Sequence, residues 1–170
     1  WRAGLKYHHV FSAGPGFIHS DGPGLAVVSR FPIVEAIFHR FSANGKPHKI
    51  HHIDWWFGKG IGLVRLDTGT TTVDCYITHL VAAYVPWTAC FPEDEYAAQR
   101  ALQAYECSRW IQLTQRSNLA LLCCDMNATR DSLAYNIINM NDAHAADNTP
   151  TWAYRGNPYT KGEHPARIDY

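Results

Sequence analysis

Apolar and polar positions divide the chain into short extended runs in its first half and one long helical stripe past its middle. Gly24 to Ser29 (GLAVVS) is an apolar run closing on a polar residue and predicts a strand. Ile33 to Ser42 predicts a second, entered through a turn at Phe31-Pro32, and Asn44-Gly45-Lys46-Pro47 is a turn signal after it. Ile61 to Leu66 and Thr71 to Leu80 are strand-like, and Asp67-Thr68-Gly69 between them predicts a hairpin. Pro92-Glu93-Asp94-Glu95 opens the best helix, because acids in a first turn suit the positive end of the helix dipole. Ala97, Ala101, Ala104, Ser108 and Ile111 then make one stripe of small and apolar residues. Leu119 to Cys124 (LALLCC) is continuously apolar, as expected of a strand covered on both faces. A second helix is expected over Ser132 to Met140, and Arg167 to Tyr170 enters a last strand. Residues 12–24 and 147–163 read as loop.

Composition narrows the picture. The chain has 170 residues, of which 46% are hydrophobic and 18% charged, which suits one ordered domain with a sizeable core. Its formal net charge is zero, without the basic excess that a nucleic-acid binder carries, so no nucleic-acid partner is expected. The five cysteines include an adjacent pair, Cys123-Cys124, and no C-x-x-C spacing. That argues against a disulfide framework or a zinc site and for a reducing compartment, with the adjacent pair filling the core. His8-His9 and His51-His52 are neighbours, and neighbours in a strand point to opposite faces, so neither pair chelates one ion easily. No apolar run approaches the roughly 18 residues of a membrane span, and no signal peptide is visible. Trp1 and Tyr170 read as cut ends, so the chain is expected to be a fragment.

Three short signals carry candidate chemistry. Asp125-Met126-Asn127 follows the buried run directly, and side chains two apart in extended chain point the same way. A carboxylate and an amide delivered together to a sheet rim suit Mg²⁺ and phosphate oxygens, although a polar strand end or an Asx-turn gives the same pattern. Thr78-His79 ends another strand, where a histidine can donate to a developing phosphorane oxygen or serve the fold alone. Asp169, between Ile168 and Tyr170, could orient a catalytic histidine or make a surface ion pair.

The order GLAVVSRFPI, NGKPHKIHHIDWWFGKGIG, YITHL, LLCCDMN and RIDY resembles the DNase I-like endonuclease/exonuclease/phosphatase superfamily. In detail it is similar to the neutral sphingomyelinases, over most of residues 20–127 and again at 166–170. The discriminating segment is 44–62, with Asn44-Gly45, Pro47, His51-His52, Asp54-Trp55 and Gly58-Lys59. The resemblance implies an α/β four-layer sandwich, α/β/β/α, incomplete at both ends, with residues 1–170 forming part of one catalytic domain. It implies a Mg²⁺-dependent phosphodiesterase that hydrolyses sphingomyelin to ceramide and phosphocholine.

Residue by residue, Asp125 and Asn127 match the family's G-D-x-N pair, the Asp contacting the attacking water and the Asn the phosphate. Asp125 would serve as a secondary metal ligand. His79 matches the transition-state histidine, and Asp169 the aspartate that bonds the final catalytic histidine. Asp54 and Lys59 match an Asp–Lys pair tied to switching between loop arrangements; a solvated surface pair is the plainer alternative. Trp55 and Trp56 are candidates for an aromatic contact with a choline headgroup, or for the core. Cys124 replaces the family glycine, and Val81 and Ala83 stand where some relatives carry His and Glu. The family's early Asn, its metal-binding Glu and its closing S-D-H find no match in residues 1–170. If Asn127 is catalytic, the sequon Asn127-Ala128-Thr129 is a coincidence and the site faces the cytosol. A sphingomyelin or related phospholipid substrate, and a membrane surface reached through other segments, are the expected partners. A nuclease, an inositol-phosphate phosphatase or an inactive binding module are the rival readings.

Overall fold

A computed structural model of the protein describes residues 4–12, 22–52, 54–84, 93–143, 145–147, 149–153 and 165–170. The central element is a four-stranded sheet in the order β3-β4-β5-β6, made of β3 (Ile33–Arg40), β4 (Gly60–Asp67), β5 (Thr72–His79) and β6 (Leu119–Asp125). β4 and β5 form the expected antiparallel hairpin, closed at Gly69, whose φ of 88° a side chain would strain. Asp67 accepts from the Gly69 N–H at 2.8 Å, as short polar side chains do in turns. β5 and β6 run parallel, so the chain must cross over between them, and α2 (Ala97–Thr114) lies on that crossover.

Helices cover one face of the sheet. Ala104, Cys107 and Ile111 of α2 and Ala134 of α3 (Leu133–Ile137) pack with Ile61, Leu63, Tyr76 and Cys124. The other face carries the antiparallel pair β1 (Tyr7–Val10) and β2 (Ala26–Ser29), with Phe11 and Leu25 packed against Val64. Phe11 lies so close to Gly62 that an added Cβ would sit 2.6 Å from its ring, which explains a glycine inside a strand there. Three of the four expected layers, α/β/β, are thus present among the described residues.

Several expectations need correction. β6 is not covered on both faces: Leu119 is 51% and Leu121 45% exposed, and Cys123 is exposed while Cys124 is buried. The helices cover one face of β6, while the β1–β2 side packs residues of β3, β4 and β5. Only Cys124 of the adjacent pair therefore enters the core. α2 begins at Ala97, and its first turn holds no acid. Asp94 sits just before it, accepts from the Tyr96 N–H at 3.1 Å and pairs with Arg100. The buried stripe keeps Ala101, Ala104 and Ile111 but runs through Arg100, Gln103 and Cys107 rather than Ala97 and Ser108. α3 is shorter than expected, with Ser132 as its N-cap accepting from the Tyr135 N–H. Cys90, Trp1, most of the 12–24 loop and most of 147–163 lie outside the described residues.

The far end of the sheet is pinned by Asp74, which is fully buried. It accepts from Arg65 Nε at 2.7 Å, from the Ser117 hydroxyl at 2.7 Å, and from the backbone N–H groups of Arg116 and Ser117 at 2.7 and 3.0 Å. Burial pushes this carboxyl up, but Arg65 and the backbone donors outweigh it and hold it at about 2. A folded value below the unfolded one near 3.9 means stability that is present above about pH 4 and lost as pH falls through about 2. Asp74→Ala, which leaves Arg65 buried without this partner, should cost about 3–5 kcal/mol in chemical denaturation at pH 7. Most of that difference should vanish by about pH 2.

Candidate active site

The parallel register places His79 opposite Asp125 at the carboxyl ends of β5 and β6. Ligands of open α/β sheets bind at such ends, because side chains there are fixed by the strands yet face an opening. His79 Nε2 lies 3.4 Å from Asp125 Oδ2, and both side chains are partly exposed. Beyond Asp125 the chain turns through Asn127 at φ 48°, a left-handed conformation that asparagine tolerates. The Asn127 N–H donates to Asp125 Oδ1 at 2.9 Å, so an Asx-turn is present and also holds the carboxylate.

Leu80, next to His79, supplies the hub. Its carbonyl accepts from Asn127 Nδ2 at 3.0 Å and from Lys59 Nζ at 2.7 Å, and its N–H donates to the Asp125 carbonyl at 2.9 Å. Lys59 also pairs with Asp54 Oδ1 at 2.8 Å. Asp54 and Lys59 are only 4% and 3% exposed, so the plainer reading of a solvated surface pair does not hold. Asp54 opens α1 (Asp54–Phe57), where a loop was expected, and its Oδ2 accepts from the Ala82 N–H at 2.9 Å. Trp55 and Trp56 meet edge to face at 4.9 Å on α1, with Trp56 partly exposed. The turn at Gly45 lies against Trp55, leaving 2.7 Å for a Cβ.

Asp169 faces Asp125 across an antiparallel bridge, in place of the longer strand expected at 167–170. Cys124 and Tyr170 exchange backbone hydrogen bonds at 2.7 and 2.8 Å, and the Met126 N–H donates to the Ile168 carbonyl at 2.8 Å. Asp142 steadies this segment by accepting from Arg130, Tyr135 and Arg167.

These contacts set the protonation states. Burial, with the Lys59 charge beside it, pulls His79 down to about 4, so the ring is neutral at pH 7 and has one N–H to donate. Burial lifts Asp125 to about 6 against the Asn127 N–H, and the Asp169 charge adds to the rise. Burial also lowers Lys59, opposed by Asp54. The cluster thus offers a neutral donor, a carboxylate, a buried cation and an amide within one sheet edge.

The sequence signals missed the groups that hold the loop after His79. Gln103 Oε1 accepts from the Val81 N–H at 2.8 Å, its Nε2 donates to the Ala43 carbonyl at 2.6 Å, and Arg100 donates to the Val81 carbonyl at 3.2 Å. Polar residues inside an otherwise small, apolar helical stripe were the available sign.

The Endonuclease/Exonuclease/phosphatase family profile matches residues 1–170. The chain belongs to that family. Sphingomyelin phosphodiesterase 2 of Rattus norvegicus is 40% identical over 62% of the chain and 24% of its own length. Inositol phosphosphingolipids phospholipase C of Saccharomyces cerevisiae is 33% identical over 78% of the chain and 26% of its own length. The chain thus spans about a quarter of each. A β toxin of Staphylococcus aureus with a deleted β hairpin superposes with a TM-score of 0.77 at 20% identity, covering 99% of the chain and 64% of the toxin. The fold is the DNase I-like one, shared with this toxin and with sphingomyelinase C of Streptomyces griseocarneus, which superposes with a TM-score of 0.65 at 23% identity over 92% of the chain and 53% of its own. A further β toxin structure, with bound magnesium ions, superposes with a TM-score of 0.65 at 23% identity over 88% of the chain and 51% of that toxin.

The described residues do not by themselves complete a magnesium site. Asp125 offers one hard carboxylate of the right kind, and among the described residues no group of three or more His, Cys, Asp and Glu is arranged to hold a metal.

Proposed function

We propose that this chain carries the His79–Asp125–Asn127 edge of a phosphodiesterase site, and that its substrate is a sphingolipid phosphodiester, sphingomyelin foremost. The observation that supports it is the convergence of His79, Asp125, Asn127, Asp169 and the Asp54–Lys59 pair on one sheet edge in a chain of this family. In this reading water attacks phosphorus in line with the departing ceramide oxygen, giving ceramide and phosphocholine. Asp125 orients the water, Asn127 contacts the phosphate, and neutral His79 donates to the oxygen on which charge develops. Lys59 adds positive charge beside them. Asp169 orients a histidine that residues 1–170 do not supply at a matching motif. Mg²⁺ is the proposed metal, with Asp125 as a secondary ligand and the primary carboxylate elsewhere. Trp55 and Trp56 are the proposed aromatic contacts for a quaternary ammonium headgroup. Membrane association, with the catalytic domain facing the cytosol, is the proposed location.

A substrate panel tests the reading. The full-length protein, given Mg²⁺, should release phosphocholine from sphingomyelin in mixed micelles. It should hydrolyse double-stranded DNA and soluble inositol polyphosphates at least about a hundredfold more slowly, a difference of roughly 2.7 kcal/mol in transition-state binding. Faster cleavage of DNA or inositol phosphates would reassign the site to the rival activities. No turnover of any member would make it a binding module.

A further inference from the structure

The chain leaving β5 runs through His79, Leu80, Val81 and Ala82, and two consecutive peptide groups of this stretch are held from both sides. The Leu80 carbonyl and the Val81 N–H belong to one peptide unit, which is planar and, in its ordinary trans form, points the two in opposite directions. Lys59 Nζ and Asn127 Nδ2 donate to the carbonyl at 2.7 and 3.0 Å. Gln103 Oε1 accepts from the N–H at 2.8 Å. The next peptide unit repeats the arrangement with its sense reversed. Its carbonyl, of Val81, accepts from Arg100 at 3.2 Å, and its N–H, of Ala82, donates to Asp54 Oδ2 at 2.9 Å. Lys59 and Asp54 then meet each other at 2.8 Å. The two peptide groups thus link the buried Asp54–Lys59 pair to two buried polar side chains of α2. The stretch ends at Tyr84, which takes a left-handed φ of 58°.

α2 is a firm anchor for this. It is packed on the sheet through Ala104, Cys107 and Ile111. Gln99, Gln103 and Glu106 fall along one side of it, at the three- and four-residue spacing of helix neighbours. They hold the chain that leaves β3. Gln99 Nε2 donates to the Gly45 carbonyl at 3.3 Å, Gln103 Nε2 donates to the Ala43 carbonyl at 2.6 Å, and Glu106 Oε2 accepts from the Ser42 N–H at 3.0 Å. Gln103 belongs to both sets of contacts and ties Val81 to Ala43. Arg100 is fixed in turn by its pair with Asp94. Gln103, Leu80 and Val81 are fully buried, where a backbone group without a partner is costly, so these bonds determine how the peptide lies.

We propose that Gln103 is a positioning residue: by holding the Val81 N–H it fixes the plane of the Leu80–Val81 peptide, and with it the carbonyl on which Lys59 and Asn127 converge beside His79 and Asp125. An acceptor on the N–H also polarises the peptide, which makes its carbonyl a stronger partner for the Lys59 cation. Its bearing on turnover rests on the phosphodiesterase reading above; its hold on the peptide rests on the contacts alone. A glutamine that only satisfied two stray backbone groups would leave the Ala82 N–H and the reaction undisturbed when removed.

The test uses the full-length protein with two variants. Gln103→Met keeps the volume and removes both bonds, whereas Gln103→Glu keeps an oxygen for the Val81 N–H and gives up the amide donated to Ala43. Amide hydrogen exchange, read by mass spectrometry with residue-level fragmentation, reports on the peptides directly. In Gln103→Met, exchange should rise about tenfold at Val81 and also at Ala82, whose own acceptor is untouched, with β4 unchanged. For sphingomyelin, kcat should fall roughly tenfold with KM unchanged, since the contacts that Gln103 aligns act in the transition state. Gln103→Glu should keep kcat within about threefold of wild type, because it retains the acceptor. Faster exchange at Val81 with Ala82 and kcat unchanged overturns the proposal, since the peptides would then be held without Gln103. Faster exchange throughout β4, with kcat of the folded protein intact, also overturns it, because Gln103 would then serve the fold as a whole. Faster exchange at both amides with kcat untouched overturns its role in the reaction. A Gln103→Glu enzyme as slow as Gln103→Met assigns the effect to the Ala43 bond and overturns the hold on Val81. Should Gln103→Met fail to fold, Gln103→Glu decides alone: Ala82 exchange and kcat near wild type uphold the proposal, and a change of about tenfold in either overturns it. A wild-type protein without turnover sinks the phosphodiesterase reading, and exchange alone then decides whether Gln103 fixes the peptide.

Discussion

Asp125→Ala or Asn127→Ala in the full-length protein should lower phosphodiester hydrolysis by roughly two to four orders of magnitude, about 3–5 kcal/mol of transition-state stabilisation. The two residues are one unit here. The Asn127 N–H holds Asp125 Oδ1, and Asn127 Nδ2 is fixed on the Leu80 carbonyl. Removing Asp125 releases the turn that orients Asn127, so the double variant should lose far less than the sum of the singles. The fold should survive, because the Leu80, Cys124 and Met126 backbone bonds do not involve either side chain. Circular dichroism should therefore match wild type. Retention of more than a tenth of the rate by either variant would remove that residue from the reaction.

The second large effect is expected at Asp54 and Lys59. Their pair is nearly fully buried, and breaking a buried pair strands a charge, at a cost of about 3–5 kcal/mol of stability. The two substitutions are not symmetric. Lys59→Ala leaves Asp54 with the Ala82 N–H, which keeps the carboxylate partly satisfied. Asp54→Ala leaves Lys59 with the Leu80 carbonyl, which accepts a hydrogen bond but carries no counter-charge. Burial already lowers the Lys59 value, and Asp54 is the main group opposing that. Without Asp54 the amine sheds its proton at lower pH, so the residual activity of Asp54→Ala should fall with rising pH sooner than that of wild type. In a double-mutant cycle on kcat the pair should show coupling of roughly 1–3 kcal/mol. Additive effects on rate, with a pH profile unchanged in Asp54→Ala, would reduce the pair to a structural brace.

Much of this site was legible because its signals are local. The hairpin of β4 and β5 is written in two alternating runs and a turn containing glycine. Asp125 and Asn127 close and follow a short apolar run that predicts a strand, and the strand brings them to the rim. The family resemblance then joined His79, Asp169, Asp54 and Lys59 to them, and the folded chain brings these residues to one edge. What stayed hidden depends on distant partners. Arg100 and Gln103 look like breaks in an apolar stripe until Val81 and Ala43 arrive to receive them. The burial of Asp54 and Lys59 is set by the neighbouring loop rather than by anything in their own segment. The exposed face of β6 follows from which strands lie over it, and a run of apolar residues cannot report that. The φ of Tyr84 has no sequence signature at all, because tyrosine is a poor choice for it.

The central claim is that water attacks the phosphorus of a sphingolipid phosphodiester. Hydrolysis of sphingomyelin by the full-length protein in ¹⁸O-enriched water tests it most directly. The account predicts one ¹⁸O atom in the phosphocholine released, none in the ceramide, and loss of the labelled product in Asp125→Ala. Label in the ceramide hydroxyl, or phosphocholine formation that persists at the wild-type rate in Asp125→Ala, would contradict it.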